Sequence, residues 1–301
     1  MRIAVLHNAK AKNASENIRK EEERIKEAFD KAGGADLEFF AIESKELVAE
    51  AGRIAGENFD IIAAAGGDGT LSAVVNGIVG RGVKFGVLPM GTFNNFAKDA
   101  KIPLELDAAA ENILRGESRS IDLGEVNGRY FLNNSSVGFY PHMVRARKFR
   151  QWRLGGGKMF SGLSAFIKTF RLFPTYGARI SYDDANEKVA TPFIFIGNNF
   201  YNVHLLSFGK RDSLHGGKLS LYYSNSSTRS KFLVHAALAL IGRINFAEEF
   251  THALTKEASI HFGDRPVSVS MDGEVTTMRS PLLYRCRPGA LETIMPKEEE
   301  K

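Results

Sequence analysis

Ile61-Ile62-Ala63-Ala64-Ala65-Gly66-Gly67-Asp68-Gly69-Thr70 passes from an unbroken apolar run into a glycine turn, and an apolar-periodic segment, residues 71–79, follows at once. An apolar run without alternation reads as a strand buried on both faces, and the periodic segment after it reads as a helix. Three glycines in four positions let the backbone approach a ligand closely. The amides of the turn and of the first helical turn then form an anion site that suits a phosphate. Asp68 is the odd element. A carboxylate beside a phosphate is repulsive unless a cation such as Mg²⁺ bridges the two, or unless the carboxylate takes a proton from a nucleophile. A glycine turn with an aspartate helix cap is the plainer reading of the same residues.

Working outward, residues 84–88 form the next strand candidate, and Leu88-Pro89-Met90-Gly91-Thr92-Phe93-Asn94-Asn95-Phe96-Ala97 follows it. Its Gly91-Thr92 turn is expected to leave the same sheet edge as the first glycine turn, with Phe93 and Phe96 in the core. Upstream, residues 2–7 are a short apolar strand, followed by a helix with Ile18, Ile25, Phe29 and Ala32 on one face and Gly33 at its end. Further helices are expected over residues 93–100 and 107–114. Strands alternating with helices imply parallel pairing with both sheet faces covered, and ligands bind where loops leave the carboxyl ends of such strands.

The pattern changes near residue 120. Residues 121–126 and 129–132 flank Asn127-Gly128, a hairpin signal because both residues tolerate positive φ. Strand-like stretches follow at residues 179–182, 192–196, 218–223, 259–262, 267–271 and 282–286, so the second part reads as mostly antiparallel β. A length of 301 residues suits two domains, and 44% hydrophobic with 25% charged residues excludes a disordered, collagen-like or coiled-coil chain. One cysteine, Cys286, excludes an internal disulfide framework and a thiolate zinc cluster. No secretory signal is read at the start. The longest lipophilic stretch, residues 232–241, is half of the roughly 20 residues that a spanning helix needs.

Asp272 and Glu274 straddle Gly273 at the end of the strand 267–271, where paired carboxylates face a cleft; Asp-Gly is equally a common hairpin turn. The order GGDGT, then Pro-x-Gly-Thr-x-Asn-x-Phe-Ala, then Ile121-Asp122-Leu123-Gly124 with Phe131-Leu132-Asn133, then Met271-Asp272-Gly273-Glu274 resembles the diacylglycerol kinase catalytic family. That family includes sphingosine and ceramide kinases and bacterial soluble lipid kinases. The resemblance runs from about Arg2 to Arg285. It implies an α/β protein: an N-terminal three-layer α/β nucleotide-binding domain, residues 1–120, and a C-terminal antiparallel β-sandwich domain, residues 121–290, that takes the lipid acceptor. Residues 291–301 are expected to be a frayed tail.

The resemblance further implies a lipid kinase that transfers the γ-phosphate of ATP to the hydroxyl of a membrane lipid such as diacylglycerol or a sphingoid base. Asn8, Gly66, Gly67, Asp68, Gly69, Thr70, Gly91, Thr92 and Asn94 are the expected nucleotide-binding residues. Asp68, Asp122 and Asp272 are the expected Mg²⁺ ligands, and Asp68, Asp272 and Glu274 the expected catalytic residues, with Glu274 matching the family's proton acceptor. There is no Gly-x-x-x-x-Gly-Lys-Ser/Thr loop, so residues 66–70 take its place. The chain also departs from the family. Its first loop reads Asn8-Ala9-Lys10-Ala11-Lys12 without the usual proline and Ser-Gly, although Lys10 or Lys12 can supply a cation. Asn95 stands where bacterial members often carry aspartate. The family's Asp-Gly-x-Leu stretch, which helps to hold a structural Mg²⁺, is here Gly216-Gly217-Lys218-Leu219, so that second metal site is not expected even with Asp212 nearby. Asn198, Asn199, Tyr201, Asn202 and Val203 are implied to line the acceptor cavity. Two other readings remain open: a kinase of the NAD kinase type, and a catalytically inactive nucleotide-binding protein associated with membranes.

The net charge of +5 is weak as a total. It concentrates in residues 143–168, where Arg145, Arg147, Lys148, Arg150, Arg153, Lys158 and Lys168 interleave with Phe149, Trp152, Met159, Phe160 and Phe166. Cations beside Trp and Phe suit a segment lying on anionic headgroups, each contributing about 1 kcal/mol. Arg145, Arg147, Lys148, Arg150, Trp152 and Arg153 are the expected membrane contacts, and a solvated helix face with its aromatics in the core is the alternative. A cytoplasmic protein working peripherally at a membrane is expected. No nucleic-acid partner is expected, and a homodimer is one open assembly state. The histidines show no metal-ligand spacing.

Overall fold

The computed structural model describes residues 1–9, 14–138, 175–202, 210–211, 213–224 and 250–297. The first part alternates strand and helix: β1 (Arg2–Asn8), α1 (Ala14–Ala32), β2 (Asp36–Ile42), α2 (Leu47–Ile54), β3 (Ile61–Gly66), α3 (Asp68–Ile78), β4 (Lys84–Pro89), α4 (Asn95–Asp99) and α5 (Leu106–Arg115). The strands pair in parallel in the order β2-β1-β3-β4, so the ends of β1, β3 and β4 share one edge. Alternation then sorts side chains between two cores. Ile3, Val5, Ile61 and Ala63 pack with Ile25, Phe29 and Ile113, on the face of α1 and α5. Ala4, Leu6, Ile62 and Ala64 pack with Leu47, Ala51, Leu71 and Val75, on the face of α2 and α3. Three layers result, as expected from the sequence. The pair β2 and α2 was not anticipated, because the strand's burial is partial and its apolar residues do not alternate cleanly.

The second part is β-rich: β5 (Glu117–Val126), β6 (Arg129–Phe131), β7 (Asn134–Gly138), β8 (Tyr176–Tyr182), β9 (Ala185–Thr191), β10 (Phe193–Asn198), β11 (Tyr201–Asn202), β12 (Lys210–Arg211), β13 (Leu219–Ser224), β14 (Phe250–Thr255), β15 (Glu257–His261), β16 (Val267–Met271), β17 (Glu274–Met278) and β18 (Leu282–Met295). One sheet runs β14-β13-β10-β7-β16-β17, with every pairing antiparallel. It packs on an extension of the first sheet, β18-β15-β8-β9 with β5 and β6 beside it. Val126, Phe131, Ile180, Ile194, Ile196, Leu221, Tyr223, Ile260, Val269 and Tyr284 fill the space between the two layers.

β18 joins the two halves. It pairs antiparallel with β5 along most of its length and meets β4 in parallel at Thr293 and Phe85. Residues 291–295, expected in the frayed tail, are therefore strand, with Leu291, Ile294 and Met295 buried. The strand passes through Pro288-Gly289 with an irregularity between Arg287 and Leu291, where Gly289 takes φ +61. The Asn127-Gly128 hairpin forms with φ 47 and 80, and Asp272-Gly273 repeats that geometry with φ 46 and 82.

Candidate active site

Two glycine turns converge at the edge formed by the ends of β3 and β4. The Met90 amide donates to the Gly66 carbonyl at 3.0 Å. A Cβ added at Gly91 would lie 2.3 Å from the Gly67 Cα, so the two turns pack backbone against backbone and only glycine fits. Gly66 is closed in by Thr70, whose Oγ1 lies 2.5 Å from where a Cβ would stand. Helix α3 starts here on Gly67, with extended backbone and no side-chain cap, so its first amides are left for an outside acceptor. Asn8 ends β1 at the same edge, and its buried Oδ1 has no hydrogen-bond partner. Thr92 is exposed beside the turn. Phe93, expected in the core, is 50% exposed, whereas Phe96 is buried.

Asp68 caps a helix, but not its own. Its Oδ1 accepts from the Phe96 amide at 3.0 Å and its Oδ2 from the Asn95 amide at 3.1 Å and Asn95 Nδ2 at 3.4 Å. The residue thereby ties the start of α3 to the start of α4. Asn94, a predicted nucleotide ligand, is likewise spent inside its own loop. It sits at φ 49, accepts from the Gly91 amide at 2.9 Å, and donates to the Gly91 and Pro89 carbonyls. Both residues shape the cradle.

The β16–β17 turn faces these residues. Asp272 is buried there, with Oδ2 accepting from the Leu132 amide at 2.8 Å and Oδ1 from the amides of Asn133 at 2.8 Å and Asn134 at 3.2 Å. Burial pushes its carboxyl above the usual carboxylate range, while these three amides and the Ser72 hydroxyl of α3 pull the other way. The turn so anchored carries exposed Glu274, whose Oε1 lies 3.3 Å from a Cβ built at Gly69. Glu274 and the Gly66–Thr70 turn, distant in sequence, are thus neighbours.

The expected Mg²⁺ set of Asp68, Asp122 and Asp272 does not come together. Among the described residues no three His, Cys, Asp or Glu side chains are placed to hold a metal ion. Asp122 is buried, with Oδ2 accepting from the Gly217 amide at 2.7 Å and Oδ1 from the Gly289 amide at 2.9 Å. All three carboxylates are already ringed by N–H dipoles, whose positive ends oppose a cation. Asn198 and Asn199, expected at the acceptor cavity, are buried. Asn198 Nδ2 donates to the Asp122 and Leu132 carbonyls, and Asn199 Oδ1 accepts from the Gly216 amide at 2.7 Å. Tyr201 is buried beneath Arg211. Lys10, Lys12, Val203, Asp212 and the expected membrane contacts Arg145, Arg147, Lys148, Arg150, Trp152 and Arg153 lie outside the described residues. No helix among the described residues is long and apolar enough to cross a membrane.

Sequence reasoning missed Arg211. The Arg211 guanidinium is buried and donates from Nε to Asp99 Oδ2 at 2.8 Å, from Nη1 to the Leu132 carbonyl at 2.6 Å and from Nη2 to Asn133 Oδ1 at 2.9 Å.

The chain resembles known proteins in sequence and in fold. A family model of the diacylglycerol kinase catalytic domain matches residues 2–126. Diacylglycerol kinases of Staphylococcus aureus strains JH9 and Newman are 35% identical over 159 residues, covering 51% of this chain and 49% of each relative. The chain thus spans about half the length of the curated relatives it matches. A solved diacylglycerol kinase structure from Bacillus anthracis superposes with a TM-score of 0.68 at 18% identity, covering 98% of this chain and 96% of that one. Another from the same organism reaches 0.72 at 22% identity, covering 98% and 97%. At such identities these structures show a shared fold. Over residues 2–126, then, the chain is similar to the diacylglycerol kinase catalytic domain.

Proposed function

We propose that the protein is a lipid kinase that transfers the γ-phosphate of ATP to the hydroxyl of a membrane lipid, such as diacylglycerol or a sphingoid base. The observation that carries this reading is the meeting of the Glu274 carboxylate with Gly69, inside an uncapped helix start that takes an anion. Phosphoryl transfer is mostly positioning and charge stabilisation. The first amides of α3 and the Thr70 and Thr92 hydroxyls receive the nucleotide phosphates, and the Gly67–Gly91 contact holds the two turns at a fixed spacing. The lipid hydroxyl oxygen attacks the γ-phosphorus, its proton passes to the Glu274 carboxylate, and ADP leaves. Asp68 and Asp272 position this site through the amides they hold. Mg²⁺ carried on the phosphates of ATP would offset their charge, since the carboxylates described do not form a cage for it.

The acceptor lies in a bilayer, so the enzyme docks there. Residues 145–153 supply the cations and the tryptophan for an anionic surface. Labelled ATP with a panel of lipid alcohols in mixed vesicles tests the activity. Phosphorylated lipid is expected with the wild type, and a drop of about a hundredfold or more with Glu274→Gln. Turnover that Glu274→Gln leaves unchanged refutes the role of Glu274, and ATP binding without turnover on any lipid refutes the kinase. Vesicle sedimentation tests the docking: equal binding to neutral and anionic vesicles would overturn it.

A further inference from the structure

The hydrogen bonds around Asp68 and Asp272 close into a ring through one buried cation. Asp68 at the start of α3 holds the start of α4, and Asp99 at the end of α4 pairs with Arg211 Nε at 2.8 Å. The Arg211 guanidinium then holds the Leu132 carbonyl and Asn133 Oδ1. The amides of these same two residues hold Asp272, and Asp272 returns to α3 through Ser72. The Arg211 side chain is 1% exposed and the Asp99 side chain 12%. A buried guanidinium is stable only when its charge and its fork of donors are both matched. Asp99 matches the charge, and Leu132, Asn133 and the Asn198 carbonyl at 3.5 Å match the fork.

We propose that Arg211 is the fixed cation of the junction between the α/β part and the sandwich, standing in for a structural divalent ion. By holding α4 to residues 132–133 it sets the Gly91-Thr92 turn against the Glu274 turn. Three observations agree. The carboxylates that the resemblance assigns to a metal are each ringed by amides, and the position matching the missing ligand is Gly216, whose amide donates to Asn199 Oδ1. Asn95 stands where a second carboxylate is common in the family, and its Nδ2 donates to Asp68 directly. A lysine cannot replace Arg211, because one ammonium does not reach the three acceptors that the fork spans.

The test is made on the full chain. Thermal melts of the wild type in EDTA and in MgCl₂, without nucleotide, are expected to coincide. Arg211→Ala takes the guanidinium away from the largely buried Asp99 carboxylate, and is expected to melt roughly 10 °C lower. Millimolar methylguanidinium is expected to recover much of that loss, and MgCl₂ none of it. A wild-type melt raised by Mg²⁺, or an Arg211→Ala melt restored by Mg²⁺ and not by methylguanidinium, would overturn the proposal. Should Arg211→Ala fail to fold, Arg211→Lys and Asp99→Asn serve, alone and combined. Losses that add in the double variant refute the pairing, and a combined loss no larger than either single loss supports it. The positioning claim is read from ATP affinity, expected to weaken about tenfold in folded Arg211→Lys; unchanged affinity refutes it. The nucleotide readout rests on the ATP assignment above and the melts do not, so the two fail separately.

Discussion

Replacing Gly91 by alanine tests the convergence of the two turns most directly. The added Cβ would stand 2.3 Å from Gly67 Cα, 3.1 Å from the Gly67 nitrogen and 2.7 Å from Asn94 Oδ1. Carbon atoms in good contact sit at about 3.5–4.0 Å, so the turns must separate by more than about 1 Å. Both partners on the Gly67 side are backbone, and Asn94 is pinned by its own hydrogen bonds, so no flexible side chain end yields. Overpacking of this kind costs about 1–3 kcal/mol, and the rigid surroundings put Gly91→Ala at the upper end. For a chain of this size that lowers the melting temperature by about 5–10 °C. The phosphate cradle opens as well, and a misplacement of about 1 Å costs on the order of a hundredfold in rate. The assays are a thermal melt by circular dichroism and ATP titration calorimetry. Gly82→Ala is the control. It has φ +72 and nothing within 4 Å, so it carries backbone strain of about 1–2 kcal/mol without touching the site. The control is expected to melt lower yet bind ATP as the wild type does. Wild-type melting and wild-type affinity in Gly91→Ala would refute the backbone packing of the turns.

Gly69→Ala has the opposite profile. The added methyl meets only the end of Glu274 and alanine suits a helix, so melting stays within about 1–2 °C of wild type while lipid phosphorylation falls about tenfold; unchanged turnover would separate Glu274 from the site. His252 is exposed but stacks on Tyr222 with ring centroids 4.2 Å apart, and the partial desolvation holds its pKa below the ordinary 6.5. The unfolded chain therefore protonates first as pH falls through 6.5, so the stability this group contributes is present above that pH and lost below it. Melting temperatures followed downward from neutral pH are expected to fall less in His252→Phe than in the wild type, and parallel curves would refute the assignment. Burial, with Asp122 adding to it, pushes the Cys286 thiol up to about 12. Ellman's reagent at mildly alkaline pH is expected to label Cys286 only after denaturation, and prompt stoichiometric labelling of the folded protein would contradict its burial.

The features legible without the fold are those whose cause is local. Uncharged, largely apolar runs at residues 61–65 and 85–88 announce strands buried on both faces. Gly66, Gly67 and Gly91 announce backbone close approach, and Asn127-Gly128 and Asp272-Gly273 announce turns with positive φ. These suffice for the parallel sheet, the two converging turns and the antiparallel second part. The partners of the charged residues are another matter. A carboxylate reads as ligand, base or cap with equal ease until its neighbours are known. The neighbours here are amides far along the chain: Phe96 for Asp68, Gly217 and Gly289 for Asp122, and residues 132–134 for Asp272. Arg211 shows the same limit from the other side. Nothing in Lys210-Arg211-Asp212 announces burial, because a guanidinium enters a core only when the fold brings it a carboxylate and several carbonyls, and those come here from α4, from residues 132–133 and from β10. The sequence by itself determined where the backbone bends and which strands are buried, since φ preference and apolar periodicity act over a few residues. The tertiary structure alone decided which charges meet, since Coulomb energy and desolvation depend on distances that only the folded chain sets.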